Sequence, residues 1–424
     1  MPTGDRIQTV VVGAGHAGLA TSFHLSQHGI EHVILERGEV ANTWKNERWD
    51  SFRLLTPNRL AALPDQPYQG PDPDGFMSGD EVVDLIGTYA TRIGAPVANG
   101  VEVRSLRESP DGFEVVTEDQ VWDARAVVLA TGAFNLPRRP AAAERLPADV
   151  ASVTAFDYKN PEQLPEGRVL VVGASATGVQ LAREIRGSGR EVMISTGEHV
   201  RMPRHYRGRD IFWWLDAIGR HSETIDDVDD LIRARSTPSP QLEGSGNRPI
   251  LDLNALRAQG VQIVGRLGEI SEGRAYFSGS LRNVCALADL KLSRLLDTID
   301  EWVADADRDH EFERPERLPA TEVDDDPPLV IDLHDAGIAS VVWATGFRPD
   351  YSWLDVPVID RRGEIRHDGG VVRDAPGLYR IGLNFLRKRK SSFIYGADED
   401  SSELVAHLAR FVGASRAPSL STQR

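Results

Sequence analysis

The sequence predicts an α/β chain with two Rossmann-like dinucleotide-binding domains, the second inserted into the first. Three observations predict it. A buried-strand run, a glycine turn and a helix open the chain at Thr9, and a near copy begins at Val169. Two strands far apart end in the same tripeptide, Ala130-Thr131-Gly132 and Ala344-Thr345-Gly346. A repeated strand–turn–helix–strand unit is what two nucleotide sites in one chain require.

In the first unit Thr9-Val10-Val11-Val12 runs into Gly13-Ala14-Gly15-His16-Ala17-Gly18. A helix follows to about His28, then Val33-Ile34-Leu35 ends at Glu36. Gly13 permits the tight turn, Gly15 lets a pyrophosphate approach the main chain, and Gly18 lets helix and strand pack closely. Glu36 stands where a carboxylate accepts from both ribose hydroxyls, with Arg37 beside it. Next, Val101–Arg107 and Phe113–Thr117 flank the turn Ser109-Pro110-Asp111-Gly112 as a β-hairpin, with Val103 a further cofactor-contact candidate. The strand Ala126–Leu129 then delivers Thr131 and Gly132.

In the second unit Val169–Val172 leads into Gly173-Ala174-Ser175-Ala176-Thr177-Gly178, a helix to about Arg186, and the strand Val192–Ser195. Ser175 replaces the middle glycine; it stays small and can itself donate to a phosphate. Where the first unit has Glu36, this one has Ser195 and Thr196, followed by Arg201, Arg204, Arg207 and Arg209. Hydroxyls and arginines without a carboxylate suit a 2′-phosphate, which predicts NADPH over NADH. A solvated arginine-rich loop accounts for most of the same residues.

Proline-rich stretches at Pro137–Pro165 and Pro315–Pro328 read as the two crossings between domains. The expected division is 1–165 and 325–424 for the first domain and 166–324 for the second, with a 205–250 insert and a disordered tail from about 414. Within the second, Thr237–Pro249 reads as a loop, Asn283–Ala304 as a helix, and Asp305–Pro319 as a polar connection.

A net charge of -16 argues against nucleic acid or an anionic membrane as partner. Five lysines against 43 arginines read as codon bias. The single cysteine, Cys285, excludes an intrachain disulfide, a CxxC redox pair and a thiolate zinc cage. No His spacing matches a metal motif, so no metal is expected. With no signal peptide or membrane-length apolar run, the expected location is cytoplasmic. No oligomeric state is readable.

Together these features resemble the class B flavin-dependent monooxygenases: the flavin-containing monooxygenases, the plant indole-pyruvate monooxygenases, and bacterial flavoproteins linked by label to potassium transport. Trp44 falls at the family's GGxW turn, although Asn42 and Thr43 replace both glycines. Arg48-Trp49-Asp50-Ser51-Phe52-Arg53-Leu54-Leu55-Thr56-Pro57-Asn58 resembles the segment beneath the flavin ring. Pro67-Tyr68 with Asp72-Pro73-Asp74-Gly75-Phe76 resembles the loop after it. Trp343-Ala344-Thr345-Gly346-Phe347 is close to the FATGY element, and Gly377-Leu378-Tyr379-Arg380-Ile381-Gly382-Leu383 resembles the last strand of the FAD domain.

The resemblance implies a glutathione-reductase-like FAD domain with an inserted NADPH domain. It implies hydride transfer from NADPH to FAD, reaction of reduced flavin with molecular oxygen to a C4a-(hydro)peroxyflavin, and insertion of one oxygen atom into a small organic substrate. The stretch Ala151–Tyr158 lacks the histidine and glycine of the Baeyer–Villiger FxGxxxHxxxW/Y motif, so N-, S- or C-oxygenation is favoured over that reaction. Asn58 is the candidate polar group nearest the reacting oxygen, with a plain turn asparagine the equal alternative and Pro57 the neighbouring alignment. Arg53 contacts a cofactor or pairs with an acid. His16 is expected on the helix surface, and His24 and His28 as a surface pair.

Ile211–Leu215 reads as helix core before channel lining, and Arg387-Lys388-Arg389-Lys390 as a phosphate-facing or substrate-entry loop before a solvated run. Two rivals stand beside the monooxygenase. One is a flavin NADPH oxidase or reductase making peroxide or reducing a quinone-like acceptor. The other is a nucleotide-sensing flavoprotein that regulates a partner.

Overall fold

The computed structural model describes residues 5–414 except 246, 248, 249 and 306. The disordered tail expected from about 414 therefore lies outside the described residues. A nine-stranded sheet carries the first domain. At its centre β1 (Asp5–Val12) runs parallel to β2 (His32–Glu36) on one side and β6 (Val121–Leu129) on the other, with Val12 level with Leu35 and Leu129. Beyond β2 lies β3 (Val97–Asn99), and beyond β6 the strand Leu378–Arg380, both parallel. All of these carboxyl ends therefore form one edge.

Side chains alternate across the sheet. Val11 and Val128 face a core closed by α1 (His16–Gln27), α3 (Gly79–Arg92) and the helix Ala397–Ala414. Val10, Val127 and Leu129 face a second core under the hairpin of β4 (Ser105–Ser109) and β5 (Gly112–Val116). The hairpin thus turns where the sequence predicts, but its first arm begins at Ser105 rather than Val101. The preceding stretch is held to the end of β2 instead: Gly100 N bonds Gly38 O and Val101 N bonds Glu36 O, each at 2.8 Å.

The second domain holds a five-stranded sheet, all parallel, ordered Gln262–Gly265, Val192–Thr196, Arg168–Val172, Ile338–Trp343, Ala151–Thr154. Helix α4 (Ala176–Gly187) packs on it through Val179, Leu181 and Ile185. Sheet membership crosses both expected boundaries. Ala151–Thr154 lies before 165 and Ile338–Trp343 after 325, yet both pair within this sheet. Their pairing decides their domain, and the proline content of neighbouring loops does not report it. The chain passes between domains at Leu136–Pro137 and returns at Phe347–Arg348, and the two passages pair antiparallel. Pro315–Pro328 is no crossing: Pro319 O, Thr321 and Glu322 bond to Arg201, Asp289 and Asn254 of the second domain.

The domains share apolar ground. Trp49 of the first is buried among Ala155, Tyr158 and Val342 of the second. Leu55, Leu60 and Phe393 pack on a cluster built from Tyr206, Ile211, Phe212 and Trp214 in the insert and Leu292, Leu296 and Ile299 of the helix Leu281–Asp305. Ile211–Leu215 is accordingly core, within α5 (Ile211–Ala217). Among the described residues, no helix is long and apolar enough to cross a membrane.

Candidate functional site

The two glycine turns are built alike. Each leaves the carboxyl end of a central parallel strand, where open α/β sheets bind ligands. Gly13 and Gly173 hold φ of 109° and 112°, in the left-handed region. A Cβ on Gly13 would stand 2.6 Å from Ala130 O; one on Gly173 would stand 2.4 Å from Ala344 O. A Cβ on Gly18 would stand 2.0 Å from Gly13 O, and one on Gly178 1.9 Å from Gly173 O. Only glycine lets each helix approach its own turn this closely. Each Ala-Thr-Gly end is thus the floor of one turn. Thr345 and Gly346, expected with the FAD part, stand at the second turn, because Ala344 N bonds Val172 O at 2.9 Å.

Gly15 and Ser175 are the N-caps of α1 and α4; both are extended, and neither side chain caps its helix. No acidic residue lies in either first turn. The first-turn N–H groups therefore keep the donor capacity and positive end that a pyrophosphate uses. Nothing lies within 4 Å of a Cβ placed on Gly15, so that face is open. These features fit two dinucleotides.

Around the first turn, Glu36 is buried, and its carboxylate accepts from Ala14 N at 2.8 Å and Gly38 N at 3.0 Å. Those bonds aim it across the turn with lone pairs remaining for ribose hydroxyls. Arg37 is committed to Glu47 at 2.5 Å. Val103 is buried beside Leu106 and Phe113, which leaves its main chain for a cofactor. Gly382 seats the last-strand loop on the turn, a Cβ there standing 2.9 Å from Ala17 Cβ, and Leu383 follows almost fully buried.

His16 is not the surface residue expected. Its Nε2 is buried without a partner, and burial pushes its pKa down to about 4. It faces Trp44 at 6.5 Å. The Arg48 guanidinium lies over Trp44, Phe52 and Phe134 at 5.3, 5.6 and 5.7 Å, and burial lowers its pKa to about 10. The sequence signal for His16 was its place as first residue of the turn-bound helix. His24 is also not a free surface group: it bonds Asp398 at 2.8 Å, tying α1 to the C-terminal helix.

At the second turn the expected 2′-phosphate set does not assemble. Arg201 is buried, doubly bonded to Asp252 at 2.9 and 2.7 Å and bonded to Asp289 at 2.7 Å. Arg204 is buried and doubly bonded to Asp210 at 2.8 and 2.6 Å. Arg207 joins Asp300 and Asp309. Ser195 donates to Gly265 O and accepts from Leu267 N, and Thr196 is fully buried. Arg201 and Arg204 went to the buried carboxylates Asp252 and Asp210 because burial demands a paired charge. Arg209 of that set is exposed, its guanidinium over the Trp213 ring at 5.6 Å, and Arg266 is exposed at the end of the strand next to Val192–Thr196. Its Cδ is 3.5 Å from where a Cβ of Gly197 would be, and it makes no ion pair among the described residues.

Asn58 is locked by the turn after it: its N bonds Gly75 O and its Nδ2 donates to Asp72 O, both at 2.9 Å. Its Oδ1 is buried with no partner. Arg53 is exposed, donates to Phe76 O at 2.8 Å and makes no ion pair among the described residues. Both line a cleft of about 640 Å³ between this segment, Trp49, Tyr68 and Phe76, and α4 with residues 243–245 of the second domain. On its far wall burial raises the Glu184 pKa.

The basic loop is not a phosphate site. Arg387 pairs with Glu403, Lys388 and Lys390 with Glu399, and Arg389 with Glu223. Among the described residues, no group of three His, Cys, Asp or Glu side chains could hold a metal ion.

Fold and site define a two-domain flavoenzyme with one site for FAD and one for a nicotinamide nucleotide. Comparison with known proteins agrees. The family model described as pyridine nucleotide-disulphide oxidoreductase matches residues 10–212. An uncharacterised CzcO-like oxidoreductase of Geobacillus kaustophilus is 30% identical over 405 residues, 94% of this chain and 97% of its own. Indole-3-pyruvate monooxygenase YUCCA1 of Oryza sativa is 27% identical over 63% of this chain and 72% of its own. The structure of a flavin-containing monooxygenase from Stenotrophomonas maltophilia superposes with a TM-score of 0.66 at 20% identity, covering 97% of this chain and 100% of its own. The chain belongs to the family of the CzcO-like oxidoreductases. It is an oxidoreductase, and its two glycine turns fit two dinucleotide cofactors.

Proposed function

We propose that the protein is an NADPH-dependent monooxygenase that inserts one oxygen atom into a small organic substrate, by N-, S- or C-oxygenation rather than Baeyer–Villiger oxidation. The observation that carries the reading is the pair of matched glycine turns with uncapped helix N-termini, joined by paired crossing strands. When bound, FAD reduced by NADPH supplies the activated oxygen.

The chain's own residues bind and orient. Gly15 and the α1 N-terminus take the FAD pyrophosphate, Glu36 its ribose, and Gly382 and Leu383 the flavin end. Ser175 and the α4 N-terminus take the NADPH pyrophosphate, and Arg266 its 2′-phosphate. Asn58 Oδ1 accepts a hydrogen bond from a proton-bearing group at the reacting centre, and Trp49 and Phe76 exclude water there.

A disulfide-reducing role, which the family model's description mentions, lacks its chemistry in this chain. Cys285 is the only cysteine; it is buried, and burial raises its pKa to about 11. The electrons must therefore leave for a diffusible acceptor. The polar lining of the cleft beside Asn58 favours a second reading, an NADPH oxidase releasing peroxide, because water in such a site drains activated oxygen.

The experiment is to supply NADPH and isotopically labelled oxygen with a panel of amines, sulfides and ketones. Label in a product, with NADPH use rising above peroxide release, supports the monooxygenase. Peroxide equal to NADPH across the panel supports the oxidase.

A further inference from the structure

The segment that carries Arg53 and Asn58 is anchored to its own domain at two main-chain points: Leu54 N to Met77 O at 2.8 Å and Asn58 N to Gly75 O at 2.9 Å. Between these points the Leu55 carbonyl turns toward the other domain. There it accepts from Arg204 Nη1 at 2.8 Å. Arg204 is 1% exposed. Its Nε and Nη2 grip one oxygen of Asp210, and the other oxygen of Asp210 accepts from Phe212 N at 2.8 Å as the N-cap of α5.

The guanidinium also lies over two rings, 4.6 Å from the centroid of Phe76 of the first domain and 5.4 Å from that of Phe212 of the second. The Arg204 main-chain carbonyl accepts from Ile211 N at 3.0 Å, and His205–Tyr206 pairs antiparallel with Arg209–Asp210, so the arginine, this short ribbon and α5 form one block. A second strap, residues 241–244 of the insert, lies alongside. Gly244 sits against Leu54 O, where a Cβ would stand 2.1 Å away, and Gln241 Nε2 donates to Ala174 O in the second glycine turn at 2.8 Å.

We propose that Arg204 is a positioning residue: from the nucleotide domain it fixes the Leu54–Asn58 segment, and with it Asn58, in register with the second glycine turn. The inference rests on the reading of that segment as a wall of the flavin site. A planar fork is needed, because one group must bond a carboxylate twice and a carbonyl once while lying over two rings. Lysine keeps the charge but has neither the plane nor the reach.

The test compares wild type, Arg204→Lys and Phe76→Leu, each as full chain loaded with FAD. Hydrogen–deuterium exchange of the 54–60 peptide is read first, with the peptide covering 7–12 as internal control. Exchange of 54–60 rises about tenfold in both variants, with the control unchanged, because a local tie is lost and the sheet is intact. The visible flavin spectrum shifts, and peroxide released per NADPH rises. Both variants matching wild type in exchange and spectrum overturns the inference. If Arg204→Lys also loosens the control peptide, its role is structural and Phe76→Leu decides. If wild type consumes no NADPH, the functional reading fails separately, since the exchange result needs no turnover.

Discussion

Gly178→Ala is the sharpest test of the duplicated nucleotide sites. The added methyl would stand 1.9 Å from Gly173 O and 3.5 Å from the Ala344 side chain. An ordinary non-bonded contact is about 3.5 Å, so the start of α4 must retreat by roughly 1.5 Å. The obstacle is main-chain oxygen in a left-handed glycine turn, which cannot swing aside as a side chain can. A misplacement of about 1 Å costs roughly 100-fold where reacting groups must be aligned. The nicotinamide would be carried out of register by that amount. The assay is stopped-flow bleaching of the bound flavin by NADPH under nitrogen. The rate at a fixed low NADPH concentration should fall at least about 100-fold. FAD content should stay at the wild-type level, because its turn belongs to the other sheet. Bleaching at the wild-type rate would refute the assignment of the second turn to NADPH, and loss of FAD would refute the independence of the two sites.

Four further outcomes follow from the structure. Glu36→Gln leaves one acceptor oxygen where Ala14 N, Gly38 N and a ribose all seek one. Losing a charge-assisted bond at about 1.5–3 kcal/mol should weaken FAD binding about 10- to 100-fold, read by flavin fluorescence titration of the apoprotein. Arg201→Ala strands Asp252 in the interior and should cost about 3–5 kcal/mol of stability by urea unfolding. It should leave the preference for NADPH over NADH unaltered, whereas Arg266→Ala should raise the NADPH KM and spare NADH. Asp400 is buried with Oδ2 unpartnered, and burial raises its pKa from 3.8 to about 6. The folded state then binds the proton more tightly, so stability is lost as pH rises from about 4 to 6, by at most about 3 kcal/mol. Asp400→Asn should flatten that part of the pH–stability curve.

Where the sequence was readable, the information was local. The turns at Gly13 and Gly173 declare themselves because strand, glycines and helix follow one another within twenty residues, and the backbone need is met by residue type alone. Glu36 is similarly placed by distance along one β-α-β unit. The failures were of pairing. Arg201 and Arg204 after a strand read the same whether they face a phosphate or a carboxylate, and Asp252 and Asp289 lie 51 and 88 residues downstream of Arg201. The second Ala-Thr-Gly strand fits either sheet as a string, and only its ladder with Arg168–Val172 assigns it. Arg266 carries no signal along the chain, because it meets Gly197 across a strand pair. His16 Nε2 is a related case: its nearest ring, Trp44 at 6.5 Å, belongs to another element.

The central claim, two cofactors meeting across one domain seam, is tested most directly by anaerobic titration of the FAD-loaded protein with NADPH. The account predicts that one equivalent of NADPH bleaches one flavin, and that readmitted oxygen restores the oxidised spectrum. A flavin that stays yellow with excess NADPH, yet bleaches with dithionite, would contradict it.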